Sequence, residues 1–178
     1  MTRYTLPPRW TLAIAFLGGL TFLIHEVSWF RMLSLALGAT VSASTVVLAA
    51  FMAGFGLGAW FFGLQCGKRL EASTVLILVL AGGGVTALGA TLTIKAGLPA
   101  LQPWLIRSGM SAEQAGGAVL AAALALIFVP AFCMGGLLPA ASGLLIQDRA
   151  RMAREMGQLY AWETLGSTLG ALLTGFVF

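Results

Sequence analysis

Ser73 to Ile94 reads STVLILVLAGGGVTALGATLTI, an apolar run without one charged side chain. A helix of about 20 residues, rising 1.5 Å each, crosses the roughly 30 Å hydrocarbon core of a bilayer. The start of the run, Thr74-Val75-Leu76-Ile77-Leu78-Val79-Leu80, does not alternate polar with apolar residues, as a membrane barrel strand must. A helix satisfies its own backbone hydrogen bonds in lipid, so this stretch predicts a transmembrane helix. Working outward, four further runs share its character: 10–33, 41–64, 113–138 and 158–178. The five together predict an all-α integral membrane bundle, one transmembrane domain over residues 1–178.

Composition agrees with that reading. Hydrophobic residues make up 59% of the chain and charged residues 9%. Soluble domains carry about 25% charged residues, so a soluble domain, a disordered tail and a disulfide scaffold are excluded. The net charge is +4, but its basic residues fall in short clusters between apolar runs. Such clusters orient a membrane chain; they do not form a nucleic-acid surface, and no nucleic-acid partner is expected. Cys66 and Cys133 form no ligand-spaced pair.

The basic residues give the orientation. With a cytoplasmic N-terminus, inside segments hold Arg3, Arg9, Lys68, Arg69, Arg149, Arg151 and Arg154, and outside segments hold Arg31, Lys95 and Arg107. This asymmetry predicts the N-terminus inside and Phe178 outside, with the bacterial inner membrane as the expected location. The first run lacks a signal-peptide cleavage pattern and carries His25, Glu26, Trp29 and Arg31 instead. Ser73 is the expected N-cap of the third helix, and Ser111 to Gln114 has capping-box spacing at the start of the fourth. Residues 98–108, with Pro99, Pro103 and Trp104, read as an interfacial loop or short helix. The fourth helix should kink at Pro130 or Pro139, or near Gly135-Gly136. The chain stops inside an apolar stretch, so it is expected to be a fragment of a longer protein.

Small residues recur at helical spacing: Gly54 and Gly58, Gly82 and Gly89, Gly166 and Gly170. They permit close helix approach in lipid, either as fixed packing or as sliding surfaces. In the first helix Thr21, His25 and Ser28 form one stripe; Gly19, Phe22, Glu26, Trp29 and Leu33 form its neighbour. A carboxyl group inside a span is costly and should face the bundle. Glu26 is therefore either an interhelical tie or, with His25, a proton or ligand site. Glu163 on the last helix shares a face with Tyr160. The candidate intramembrane polar site comprises His25, Glu26, Arg31, Tyr160 and Glu163, with the two carboxyls at different depths. The sequence shows no phosphate-binding loop, ligand-spaced Cys or His pair, or triad, because a single His must serve every role. No catalytic residue, metal ligand or cofactor is expected.

Four elements in order carry a resemblance: Glu26-Val-Ser-Trp29-Phe-Arg31-Met-Leu33; Phe51-Met-Ala-Gly54-Phe-Gly56-Leu-Gly58; Cys133-Met134-Gly135-Gly136-Leu-Leu138-Pro139; and Gly157-Gln-Leu159-Tyr160-Ala161-Trp-Glu-Thr164-Leu165-Gly166-Ser-Thr-Leu169-Gly170-Ala171. They resemble the membrane region of membrane-integral spermidine synthase-like proteins. The resemblance implies a helical region akin to half a major facilitator transporter, a polyamine-related setting, and catalysis confined to a separate aminopropyltransferase-like domain. Two positions depart from the pattern: His25 stands where Tyr is expected, and Glu163 where Asn is expected. No soluble catalytic domain accompanies the helices, so an enzyme is not expected in this chain. Three roles follow as expectations: a membrane anchor or scaffold of a spermidine synthase-like protein, a half-transporter for a small cation or metabolite, or an accessory subunit of a larger membrane assembly. The expected partners are the lipid bilayer and other membrane subunits or a second copy.

Overall fold

The computed structural model describes residues 7–37, 41–146, 148 and 150–177. Arg3, Arg149 and Phe178, used above for orientation and extent, lie outside the described residues. Among the described residues every extended element is an α-helix: α1 (Pro8–Leu37), α2 (Val41–Gln65), α3 (Ala72–Ala96), α4 (Leu98–Arg107), α5 (Ala112–Gly135), α6 (Leu137–Leu145) and α7 (Met152–Val177). Among the described residues, four segments are long and apolar enough to cross a membrane: Pro8–Ser34, Val47–Gln65, Ala72–Ala96 and Ala112–Leu145, the last joining α5 and α6. The fifth expected crossing does not reach that level of apolarity. Tyr160, Trp162, Glu163, Thr164, Ser167 and Thr168 dilute the aliphatic residues of α7.

Local chemistry fixes several helix ends. The Gln114 N–H donates to Ser111 Oγ at 3.2 Å, and the Ser111 N–H donates to Gln114 Oε1 at 3.1 Å. This reciprocal pair is the capping box that the spacing predicts. At α3 the cap residue is Glu71, in extended backbone, and the helix is already under way at Ser73. Of the places expected for a kink, Pro130, Gly135-Gly136 and Pro139, the helix is interrupted at the glycine pair. The α5 helix runs through Pro130, Pro139 lies inside the first turn of α6, and the assigned helix is interrupted at Gly136. Pro139 has no N–H to give the Gly135 carbonyl four residues back, and its ring crowds that carbonyl. A Cβ on Gly135 would collide with the Phe55 carbonyl, and one on Gly136 would press on Phe62 and Val79.

Two helix pairs organise the bundle. In the first, α7 lies along α1, and Gly166 and Gly170 receive the Phe16 and Leu20 carbonyls where a Cβ would overlap them. In the second, Gly54 and Gly58 receive the Phe128 and Phe132 carbonyls of α5 in the same way. In both pairs the contacts advance in the same direction along the two chains, so α1 is parallel to α7 and α2 to α5. Absence of side chains at i and i+4 lets the backbones meet, the device that lipid-embedded helices use for association. A Cβ on Gly82 would make only ordinary contact with Cys133 Sγ, at 3.6 Å, and one on Gly89 would meet nothing within 4 Å. The expected packing face of α3 therefore does not run through Gly89. The buried residues Val79, Gly83, Ala87, Ala90 and Ile94 turn inward instead.

The main core joins Phe22, Trp29 and Leu33 of α1 to Phe51 of α2, Ala87 and Ile94 of α3, and Val119 and Ile127 of α5. Large apolar side chains also point away from the bundle, Val85 of α3 and Trp60 of α2 among them. An apolar exterior over an apolar interior is the pattern of a chain whose solvent is lipid.

Candidate functional site

A cavity of about 430 Å³ opens between α1, α3 and α7, with α6 at one end. Small residues make the room. Gly18 and Gly19 on α1 and Gly83, Gly84 and Ala87 on α3 line it, and a Cβ at Gly84 would meet nothing within 4 Å. Phe22, Phe55, Val79, Leu80 and Leu88 supply apolar wall. Four residues with polar side chains are among its lining: Thr21, His25, Thr91 and Glu163.

Each polar group is held by helix geometry. The Thr21 hydroxyl donates to the Leu17 carbonyl at 2.9 Å and lies 3.0 Å from the Gly18 carbonyl. His25 Nδ1 lies 2.7 Å from the Thr21 carbonyl, one turn back on α1. A carbonyl oxygen only accepts, so Nδ1 carries the proton in this bond, and Nε2 of the neutral ring is an acceptor. The His25 ring also packs against the Trp29 indole, with centroids 5.2 Å apart. The Trp29 N–H donates to Thr91 Oγ1 at 2.8 Å, and the Thr91 hydroxyl donates to the Ala87 carbonyl at 2.8 Å.

Glu163 enters from α7. Its backbone lies against Gly19, where a side chain would overlap the Glu163 carbonyl, and the Ser167 hydroxyl donates to its Oε1 at 3.4 Å. Gly19 and His25 are six residues apart, so Glu163 and His25 sit about 9 Å apart along the α1 axis. Phe16 and Trp162 meet edge to face beside this junction, with centroids 6.1 Å apart.

The five residues expected to form one polar site separate into four places. His25 and Glu163 share the cavity. Glu26 lies against a second, smaller cavity of about 240 Å³, walled by Val27, Trp29, Phe30, Val47, Phe51 and Ile127. His25 lines the first cavity and Glu26 the second, so the two neighbours serve different spaces. Arg31 is exposed, and Tyr160 is 63% exposed on the outer side of α7. Neither belongs to the cavity, and Glu26 is not tied to another helix by a hydrogen bond among the described residues. Thr91 and Gly84 were missed. The signal for Thr91 was a line of small residues at fours, Gly83, Ala87 and Thr91, on α3; Gly84 lies beside that line. No group of three or more His, Cys, Asp or Glu side chains among the described residues could hold a metal ion.

Set against protein-family models, curated proteins and solved structures, the chain matches none.

Proposed function

We propose that this chain is an integral membrane module that binds a small solute within the bilayer, in the manner of a half-transporter. The observation that carries it is the cavity between α1, α3 and α7, into which one carboxyl, one imidazole and two hydroxyls open from apolar helices. A pre-formed, largely apolar cavity with a few convergent polar groups is the usual form of a small-molecule site. Ionisable side chains inside a membrane bundle are costly to keep there and commonly mark a solute or proton path.

In this reading α7 is a fifth crossing and the N-terminus is cytoplasmic. At 26 residues α7 spans about 39 Å, enough for the hydrocarbon core. Its parallel packing on α1 supports the same reading. Five alternating passes put the first and last helices in the same direction, and put α2 in the same direction as α5. Leu165, Leu172 and Phe176 face outward, as lipid contacts would.

The sequence resemblance supports a second reading, a membrane anchor of a spermidine synthase-like protein. Its motif residues are scaffold: Trp29 and Leu33 are buried, and Gly54, Gly58, Gly166 and Gly170 make the close helix approaches. The two departures from the pattern, His25 and Glu163, are the two ionisable residues of the cavity. A shared scaffold carrying a changed lining favours a binding role over a passive anchor.

Native mass spectrometry of the intact chain from nanodiscs tests this reading. After soaking in equal amounts of hexylamine, hexanoate and hexanol, the wild type should retain an adduct that Gly84→Leu, which fills the cavity, does not. Equal adducts on both proteins would leave the anchor.

A further inference from the structure

The donor hydrogens around the cavity are all engaged within the protein. The Thr21 hydroxyl points to the Leu17 and Gly18 carbonyls, and the Thr91 hydroxyl to the Ala87 carbonyl. The one proton of a neutral His25 ring is on Nδ1, against the Thr21 carbonyl. The neighbouring Trp29 N–H goes to Thr91, and the Ser167 hydroxyl to Glu163. With Glu163 ionised and His25 neutral, the polar groups of the lining have only lone pairs left to offer: those of Thr21, of His25 Nε2 and of the Glu163 carboxylate. Among the described residues no Lys or Arg lines the space. A ligand that brings only acceptors, such as a carboxylate or phosphate, would find no donor and would face like charge at Glu163.

Resting on the half-transporter reading above, we infer that the cavity selects a singly charged organic ammonium, a protonated monoamine with an apolar body. Its N–H groups supply what the lining lacks, and a charge-assisted bond to Glu163 is the strongest available. Its hydrocarbon part matches the walls formed by Phe22, Phe55, Leu80 and Leu88. The lining offers one carboxylate, so a second ammonium on the same ligand would be left without a counter-charge. The single charge separates this ligand class from the polyamines that the sequence resemblance implies.

Binding of radiolabelled hexylamine to the intact chain in nanodiscs, with unlabelled hexanoate, hexanol and 1,6-diaminohexane as competitors, tests the inference. Hexylamine should bind saturably, and binding should be lost in Gly84→Leu. Glu163→Gln should weaken it by about tenfold or more, the scale of one hydrogen bond to a charged group. The diamine, hexanol and hexanoate should each compete at least about tenfold less well than hexylamine itself. Those competitions use the wild-type protein and so do not depend on either variant folding. Hexanoate, hexanol or the diamine competing as well as hexylamine would overturn the ligand class while leaving a cavity that Gly84→Leu still abolishes. Saturable binding that survives in a folded Gly84→Leu variant, or no saturable binding of hexylamine, would overturn the cavity reading and this inference together.

Discussion

Trp29 of α1 and Thr91 of α3 are joined by an indole N–H to Oγ1 hydrogen bond of 2.8 Å between residues 62 apart in sequence. The indole is 1% exposed. The bond fixes one edge of the cavity, because the same indole supports the His25 ring. Thr91→Val keeps the shape and removes the acceptor, leaving a buried N–H unsatisfied at a cost of about 1–3 kcal/mol. Thr91→Ser restores the oxygen and should recover most of the loss. Unfolding of the detergent-solubilised variants measures both, and equal stability of Val and Ser would show that the bond contributes nothing.

The glycine faces differ in what they touch. Gly58 receives the Phe132 carbonyl, whereas Gly56, two residues earlier, has nothing within 4 Å. Gly58→Leu should separate α2 from α5 at a cost of at least about 1–3 kcal/mol, the range for an overpacked core. Gly56→Leu should be close to neutral. Membrane yield and thermal unfolding of the pair decide it. Equal loss in both would mean that the α2–α5 contact is not the close one described.

Cys66, in the turn after α2, reports orientation and burial together. Its thiol lies 3.7 Å from the Pro139 carbonyl, and burial pushes its pKa above the ordinary thiol range. A raised pKa leaves less thiolate near neutral pH, and the thiolate is the reactive form. Maleimide should label native Cys66 more slowly than the unfolded chain near neutral pH, with the difference narrowing as pH rises. Labelling should occur from the cytoplasmic side, where Lys68 and Arg69 also lie in the N-in orientation. Labelling from outside intact cells would reverse that orientation.

The capping box offers a local test. Ser111→Ala removes the acceptor for the Gln114 N–H. A lost N-cap costs about 1 kcal/mol, and Ser111→Asp should retain most of it. Thermal unfolding of the two variants should rank them in that order.

The sequence made the helices legible and hid their faces. The run at 73–94 became Ala72–Ala96, and that at 41–64 became Val41–Gln65, because length and apolarity are properties of each segment alone. The Ser111 cap was equally local. The break at Gly136 falls at the Gly135-Gly136 pair, three residues before Pro139, one of the places that the sequence offered for it; what those glycines touch, Phe55, Phe62 and Val79 on other helices, was not legible. The same limit applies to the candidate site. Helical spacing placed Thr21 with His25, and both line the first cavity, but it put Gly19 and Phe22 on the Glu26 stripe and they line that same cavity. It could not say that Glu163 would meet Gly19, nor that Tyr160 would turn outward, because those depend on which helix α7 packs against.

The most direct measurement compares single cysteines at Gly84 and Gly89 in a chain lacking Cys66 and Cys133. Both positions have open space for a side chain, and they are about 140° apart around α3. Only Gly84 lines the cavity. A charged, membrane-impermeant methanethiosulfonate should modify Gly84→Cys and leave Gly89→Cys intact, because one faces a water-accessible cavity and the other faces lipid. Modification at Gly89 with an inert Gly84, or equal reactivity at both, would contradict a solute-binding cavity between α1, α3 and α7.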